Sequence, residues 1–389
     1  MTARRIDNIQ PFHVMKLLAR ARELEAQGRE VIHLEVGEPD FPTPQPVVDA
    51  GQRALAGGQT RYTPALGLPE LREALSRWYA SRFGVDVPAR RIVITPGSST
   101  ALQMLMSTLV DPGDKVLLPD PGYPCNRNFV HLCDAEPVSL PVSAENSWMP
   151  TPSQIADHWE QQISLLMVAS PANPTGAVFS QPQLEALIQQ TASLGGYLIV
   201  DEIYQGLGYE DAPATALEFD ADHLFVVNSF SKYFGMTGWR LGWLVVPDAF
   251  VPIMDKLAQN LYLSAPTISQ HAALEAFSAE TVAILEQRRE EFRRRRDFLY
   301  PQLQQLGFRL SRPPQGAFYL YADCSDLCDD SFAFCHQLLE EQGVAVTPGR
   351  DFGTNRPQQH LRFAYTTSIE QMQQAVNRIS AFLSSSRAQ

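Results

Sequence analysis

The chain has 389 residues, 44% hydrophobic and 19% charged, with a formal net charge of −12. That length buries one large or two medium cores without disulfide staples, and so acidic a chain is a poor general ligand for nucleic acid or anionic membrane. No run approaches the ~18 consecutive apolar residues of a membrane span, the N-terminus has Arg4 and Arg5 but no signal-peptide apolar core, and the five cysteines are widely spread, so a soluble, cytoplasmic globular protein is expected.

In chain order, Arg91–Thr95 reads as a strand that leads through Pro96-Gly97-Ser98-Ser99 into an amphipathic helix over 100–109. A strand over Lys115–Pro119 ends at Asp120-Pro121-Gly122, a turn signal. Leu165–Ala169 runs into the loop Ser170–Gly176, Tyr197–Val200 ends on Asp201, and Leu224–Val227 ends on Asn228-Ser229. Such strands alternating with helical patterns predict an α/β fold with a largely parallel central sheet flanked by helices. Ligands of open α/β sheets collect beyond the carboxyl ends of strands, which directs attention to those five loops. The stretch 279–306 reads as one long charged helix with glutamates beside its arginines, a solvated or domain-linking helix rather than a nucleic-acid stripe. Strand-like Gly316–Tyr321 and Leu361–Tyr365 follow, implying a smaller α+β part completed by the N-terminal segment.

Only four of the 31 basic residues are lysines: Lys16, Lys115, Lys232 and Lys256. Lys232 directly follows an apolar strand, sits beside Ser229 and Ser231, and precedes Arg240 by eight positions. Desolvation and a nearby guanidinium lower a lysine pKa and make the amine a nucleophile, as Schiff-base chemistry requires. Hydroxyls, an arginine and free backbone amides suit a phosphate. Tyr197–Glu202 imitates the acidic strand of a nucleotide hydrolase, but the dipeptide Gly-Lys of a phosphate loop occurs nowhere in the chain. Cys324, Cys328, Cys335 and His336 lack the second paired half of a zinc site, so no metal is expected.

These residues carry a resemblance. Ser229-x-Ser231-Lys232 with Met236-Thr-Gly-Trp-Arg240-x-Gly242 resembles the lysine motif of class I aminotransferases, pyridoxal-phosphate enzymes of fold type I in the bacterial aspartate/aromatic subgroup. Val36–Asp40, Tyr62–Arg72, Pro121–Pro124, Asn173–Gly176, Asp201–Tyr204 and Leu361-Arg362 are similar to further landmarks of that family, in order, from about 32 to 364. The resemblance implies a large cofactor-binding domain over 46–280, and a small domain from 1–45 with 281–389.

It also implies roles. Lys232 would form the Schiff base with the cofactor and then carry the proton at the substrate Cα, and Asp201 would keep the pyridine nitrogen protonated. Tyr204 and Asn173 would hydrogen-bond the ring's phenolic oxygen, and Tyr123 would lie against the ring face. Arg240, Ser229, Ser231 and the amides of Ser98 and Ser99 would hold the phosphate at a helix start, with Tyr62 reaching the phosphate of the neighbouring subunit of a homodimer. Arg362 would clamp the substrate carboxylate in a planar fork, helped by the amide of Gly37 and by Asn173. Phe318 resembles a residue lining the same pocket, and core packing fits it as well.

Some members of the subgroup carry a lysine in the loop after the 91–95 strand, aimed at an acidic side chain; here that loop is Gly97-Ser98-Ser99-Thr100. Phe12 would favour apolar or aromatic side chains, His13 lies beside it, and Arg127 beside Cys125 and Asn126 would accommodate an acidic side chain. The expected activity is transfer of the amino group of an L-amino acid, neutral or aromatic before aspartate, to a 2-oxo acid such as 2-oxoglutarate or pyruvate. A carbon–sulfur β-lyase or a cyclopropane-carboxylate-type synthase on the same scaffold is the alternative, because the catalytic motifs do not separate them.

Overall fold

The computed structural model describes residues 2–209 and 214–386. Near the N-terminus a two-residue strand, β1 (Ile32–His33), lies outside the main sheet. The main sheet has seven strands: β2 (Ile92–Thr95), β3 (Lys115–Asp120), β4 (Glu136–Pro141), β5 (Ile163–Ala169), β6 (Tyr197–Asp201), β7 (Leu224–Ser229) and β8 (Gly242–Val245). Their order is β2-β8-β7-β6-β5-β3-β4. Only β8 runs against the rest, pairing antiparallel with β2 and β7. β2, β6 and β7 are buried throughout or nearly so, which is why they read as unbroken apolar, β-branched runs.

Two of these strands differ from the sequence expectation for identifiable reasons. β4 carries Pro137 and Pro141 and is largely exposed, as befits the sheet edge where a missing amide costs no ladder bond. β8 begins two residues after Arg240, so its apolar run is hidden inside the lysine motif. The expected helix at 100–109 starts earlier, at Ser98, with Gly97 as its cap.

The long helix spans Ala279–Gln305. Most of its arginines are ion-paired, among them Arg293 with Glu290, Arg294 with Glu291, and Arg295, 4% exposed, with Asp40 through bonds of 2.7 and 3.0 Å. Beyond it lie β9 (Tyr319–Asp323), β10 (Val344–Ala345), β11 (Thr347–Pro348) and β12 (His360–Ala364). β12 sits between β11 and β9 in an antiparallel sheet, while β10 pairs in parallel with β1 and so ties the N-terminal segment to the C-terminal part. Among the described residues no helix is long and apolar enough to cross a membrane, and no group of three His, Cys, Asp or Glu side chains could hold a metal. Cys328 Sγ faces Cys324 O at 3.7 Å.

Candidate active site

Because β2 and β7 share the direction of β3–β6, the carboxyl ends of all these strands open on one edge of the sheet. A cavity of about 500 Å³ lies there, between the sheet and the β9–β12 part. Lys232 enters it from the loop after β7, partly buried, with Nζ donating to Gly37 O at 2.7 Å. Desolvation pushes its pKa down to about 8; Arg362 and Arg240 act in the same direction, against Glu38 and Asp201. Asp201, 5% exposed, ends β6 on the cavity floor, and its Oδ1 accepts the Ile203 amide at 3.1 Å. Burial raises its pKa to about 6, opposed by that amide and by Lys232. A cation seated against it would restore the ionised form.

The Ser98–Leu109 helix points its N-terminus at Arg240. Gly97 holds φ +82°, and a Cβ there would lie 2.5 Å from Arg240 Nη2. A Cβ on Gly242 would lie 2.7 Å from the Ser98 amide. Glycine at both positions lets a guanidinium and a helix start approach one another, a cradle for a phosphate.

Of the two serines before Lys232, the structure brings only Ser231 to the cavity wall. Ser229 is buried, its Oγ donating to Leu241 O at 3.3 Å and accepting the Ser231 amide at 3.0 Å. Those two bonds shape the loop that leads to Lys232. Tyr123 lines the cavity, its hydroxyl accepting from Cys125 Sγ at 3.2 Å. Tyr62 is 80% exposed and outside this cavity.

Arg362 enters from β12, 5% exposed. Its Nη1 donates to Asn173 Oδ1 at 2.9 Å, and Nη2 to Glu35 O at 2.6 Å and Thr347 Oγ1 at 3.4 Å. The guanidinium is sandwiched between the Tyr319 ring at 4.3 Å and the Phe352 ring at 4.8 Å. Nη1 keeps a second hydrogen and Nε has no partner, so two donors remain for a carboxylate.

Of the two readings of Phe318, the structure favours core packing, and Tyr319 lines this wall. Arg362 pairs with Tyr321 and Ala364 with Tyr319, so strand alternation puts Tyr319 on the face of Arg362. Phe318 is buried in the core, edge-on to Tyr204. Tyr319 OH and Tyr204 OH share a hydrogen bond of 2.8 Å. Phe352, also missed, is carried by a loop that Asp120 pins through Thr354 N at 2.8 Å and Thr354 Oγ1 at 2.9 Å. No local motif marked either residue; only the β9–β12 register and the fold-back of that loop reveal them.

An apolar stretch of the wall is made by Phe12, Val14, Met15 and Leu18 from the N-terminal segment, with Leu102, while Glu35, Glu38, Thr237 and Asp351 also line the cavity. The helix His13–Ala26 is anchored there by Asp351, whose carboxylate accepts the His13 and Val14 amides at 2.8 Å each. The His13 ring turns away to pack edge-on against Phe332. Arg127 and Asn126 line a separate cavity of about 230 Å³ beyond Tyr123, where Arg127 Nη2 donates to Asp351 O at 3.0 Å.

A lysine of lowered pKa, a buried carboxylate, a helix start beside an arginine and an aromatic-clamped arginine thus share one cavity at the ends of a parallel sheet, groups suited to an aldehyde, a cation, a phosphate and a carboxylate. Residues 29–379 match the family Aminotransferase class I and II, and the chain belongs to it. It is 38% identical to a (5-formylfuran-3-yl)methyl phosphate transaminase of Methanocaldococcus jannaschii, over 98% of this chain and 100% of that one. It is likewise 38% identical to a valine–pyruvate aminotransferase of Mycobacterium tuberculosis, over 97% of each chain. The crystal structure of an aminotransferase from Mycobacterium tuberculosis superposes with a TM-score of 0.95 at 38% identity, covering 99% of both chains. The protein is a pyridoxal-phosphate-dependent aminotransferase of fold type I, transferring an amino group from an amino acid to a 2-oxo acid.

Proposed function

We propose that the amino donor is an L-amino acid with an aliphatic or aromatic side chain. The observation that carries this is the charge content of the cavity. Its cationic side chains among the described residues are Lys232, Arg240 and Arg362, and cofactor and substrate α-carboxylate occupy all three. The wall left for the substrate side chain is Phe12, Val14, Met15, Leu18 and Leu102. An unpaired carboxylate there would be strongly disfavoured. The valine named for one relative agrees with this preference.

Pyridoxal phosphate, when bound, supplies the electron sink that makes the substrate Cα–H bond acidic. Arg240, Ser229, Ser231 and the Ser98 and Ser99 amides hold its phosphate. Asp201 holds a proton on its pyridine nitrogen, Tyr204 and Asn173 donate to its phenolic oxygen, and Tyr123 covers its ring. Arg362 binds the substrate carboxylate with Asn173 and the Gly37 amide beside it, and Lys232 Nζ moves the proton at Cα.

The assembly is proposed as a homodimer in which Tyr62 reaches the neighbouring site. Tyr62 follows Arg61, whose carbonyl accepts from Thr267 Oγ1 at 2.8 Å, and Leu261 and Leu263 are also exposed, at 56% and 54%. The proposed division is a large domain over 46–280 and a small one from 1–45 with 281–389, supported by β1 pairing with β10. Five unpaired thiols support a reducing, cytoplasmic setting.

The test is the visible spectrum of the holoenzyme while single L-amino acids are added, followed by 2-oxoglutarate or pyruvate. Apolar or aromatic donors are expected to discharge the yellow band with kcat/KM on the order of a hundredfold above aspartate. Aspartate as the best donor would overturn the assignment, and pyruvate accumulating without return of the band would indicate lyase chemistry.

A further inference from the structure

Tyr319 occupies a junction that neither the cofactor cradle nor the carboxylate clamp explains alone. It is 1% exposed, and its ring lies directly under the Arg362 guanidinium, 4.3 Å away. Its hydroxyl meets Tyr204 OH at 2.8 Å. The same hydroxyl fills the space a Cβ on Gly37 would take, so residue 37 must be glycine for the carbonyl that receives Lys232 Nζ to stand where it does. One side chain thus touches the substrate arginine, the tyrosine assigned to the cofactor's phenolic oxygen, and the backbone beneath the lysine.

We infer that Tyr319 is a positioning residue that couples the carboxylate clamp to Tyr204: its hydroxyl donates to Tyr204 O and so directs the Tyr204 proton into the cavity. Each hydroxyl has one hydrogen, so the order of donation along the pair decides where the last one points. The guanidinium over the Tyr319 ring draws electron density from it and makes Tyr319 the better donor of the two. Tyr204 then receives one hydrogen bond and gives one, and bonds in such a chain strengthen each other. Anything that neutralises Arg362, a substrate carboxylate above all, weakens Tyr319 as a donor and is felt at Tyr204. The inference rests on the roles proposed above for Tyr204 and Arg362.

A donor on the cofactor's phenolic oxygen withdraws electron density from the neighbouring nitrogen and lowers the pH at which that nitrogen takes a proton. The midpoint of the holoenzyme's visible band against pH is therefore the readout, in wild type, Tyr319→Phe, Tyr204→Phe and the double variant. Tyr319→Phe keeps the ring under Arg362 and removes only the hydroxyl. It is expected to raise the midpoint by about half a pH unit, Tyr204→Phe to raise it further, and the double variant to match Tyr204→Phe alone. Tyr319→Leu also removes the ring and is expected to raise the amino-acid KM about tenfold, which Tyr319→Phe does not. If Tyr204→Phe shifts the midpoint and Tyr319→Phe does not, or if the two shifts add in full, the coupling is overturned while the role of Tyr204 stands. If Tyr204→Phe itself leaves the midpoint unmoved, that role falls and takes this inference with it.

Discussion

The floor of the cavity and its roof are built on different principles. The floor is a row of strand ends: Asp201 closes β6, Lys232 follows β7, Asn173 follows β5, and the Ser98 helix start follows β2. Each of these groups is placed by its own strand and the few residues after it, within a sheet whose inner strands are almost wholly buried. The roof is assembled from segments far apart. Arg362 is held to Glu35 O across 327 positions and to Asn173 across 189, and Asp120 grips the loop that carries Phe352 across 234. On the proposed roles, cofactor chemistry is mounted on the rigid layer, and substrate selection on surfaces whose placement is a tertiary event.

The largest break in this contrast is on the floor. Lys232→Ala should lower single-turnover transfer by about 10⁴-fold with far-UV circular dichroism unchanged, since it removes the group proposed to move the Cα proton. In the wild type, Lys232 loses its proton as pH rises through about 8, so cofactor uptake by the apoprotein should accelerate across that range, followed by absorbance after mixing. A rate flat from pH 7 to 9 would contradict the lowered pKa.

On the roof, Arg362→Lys keeps the charge and loses the planar fork. It should lower kcat/KM by roughly a hundredfold, about 3 kcal/mol, while the spectrum of the bound cofactor stays as in wild type. Gly353→Ala is a gentler probe of the same layer. A Cβ there runs into the Asp120 carboxylate, so the loop carrying Phe352 must shift. About a tenfold rise in amino-acid KM with kcat nearly constant is expected; a fall in kcat alone would place Phe352 with the floor instead. The smallest effect is expected at Arg127, which lines the neighbouring cavity. Arg127→Gln should change kcat/KM for acidic and apolar donors alike by less than about threefold, and a selective loss of aspartate activity would move Arg127 into the substrate site.

This contrast also separates what could be read early from what could not. Lys232, Asp201 and Asn173 were legible because each lies at or just after the end of a strand with an unmistakable apolar run. Ser229 and Ser231 were legible as a pair but not as individuals. Their alternation is local, yet which hydroxyl faces the cavity depended on Leu241 O standing ready to accept Ser229. Arg127 looked available for an acidic substrate because it follows Tyr123 closely, but it lines the neighbouring cavity, which shares Tyr123 and Asn173 with the one that Lys232 enters.

The amino-acid sequence by itself determined the layers of the fold, the strand ends and the loops that bear lysine, carboxylate and phosphate cradle, because hydrophobic periodicity and turn chemistry act over a few residues. Tertiary structure alone decided the partners of those groups. Whether Phe318 or Tyr319 meets Arg362 depends on the pairing of β9 with β12, and a slip of one residue would exchange them. Register is set by contacts between strands some forty positions apart, so no reading of either strand in isolation contains it.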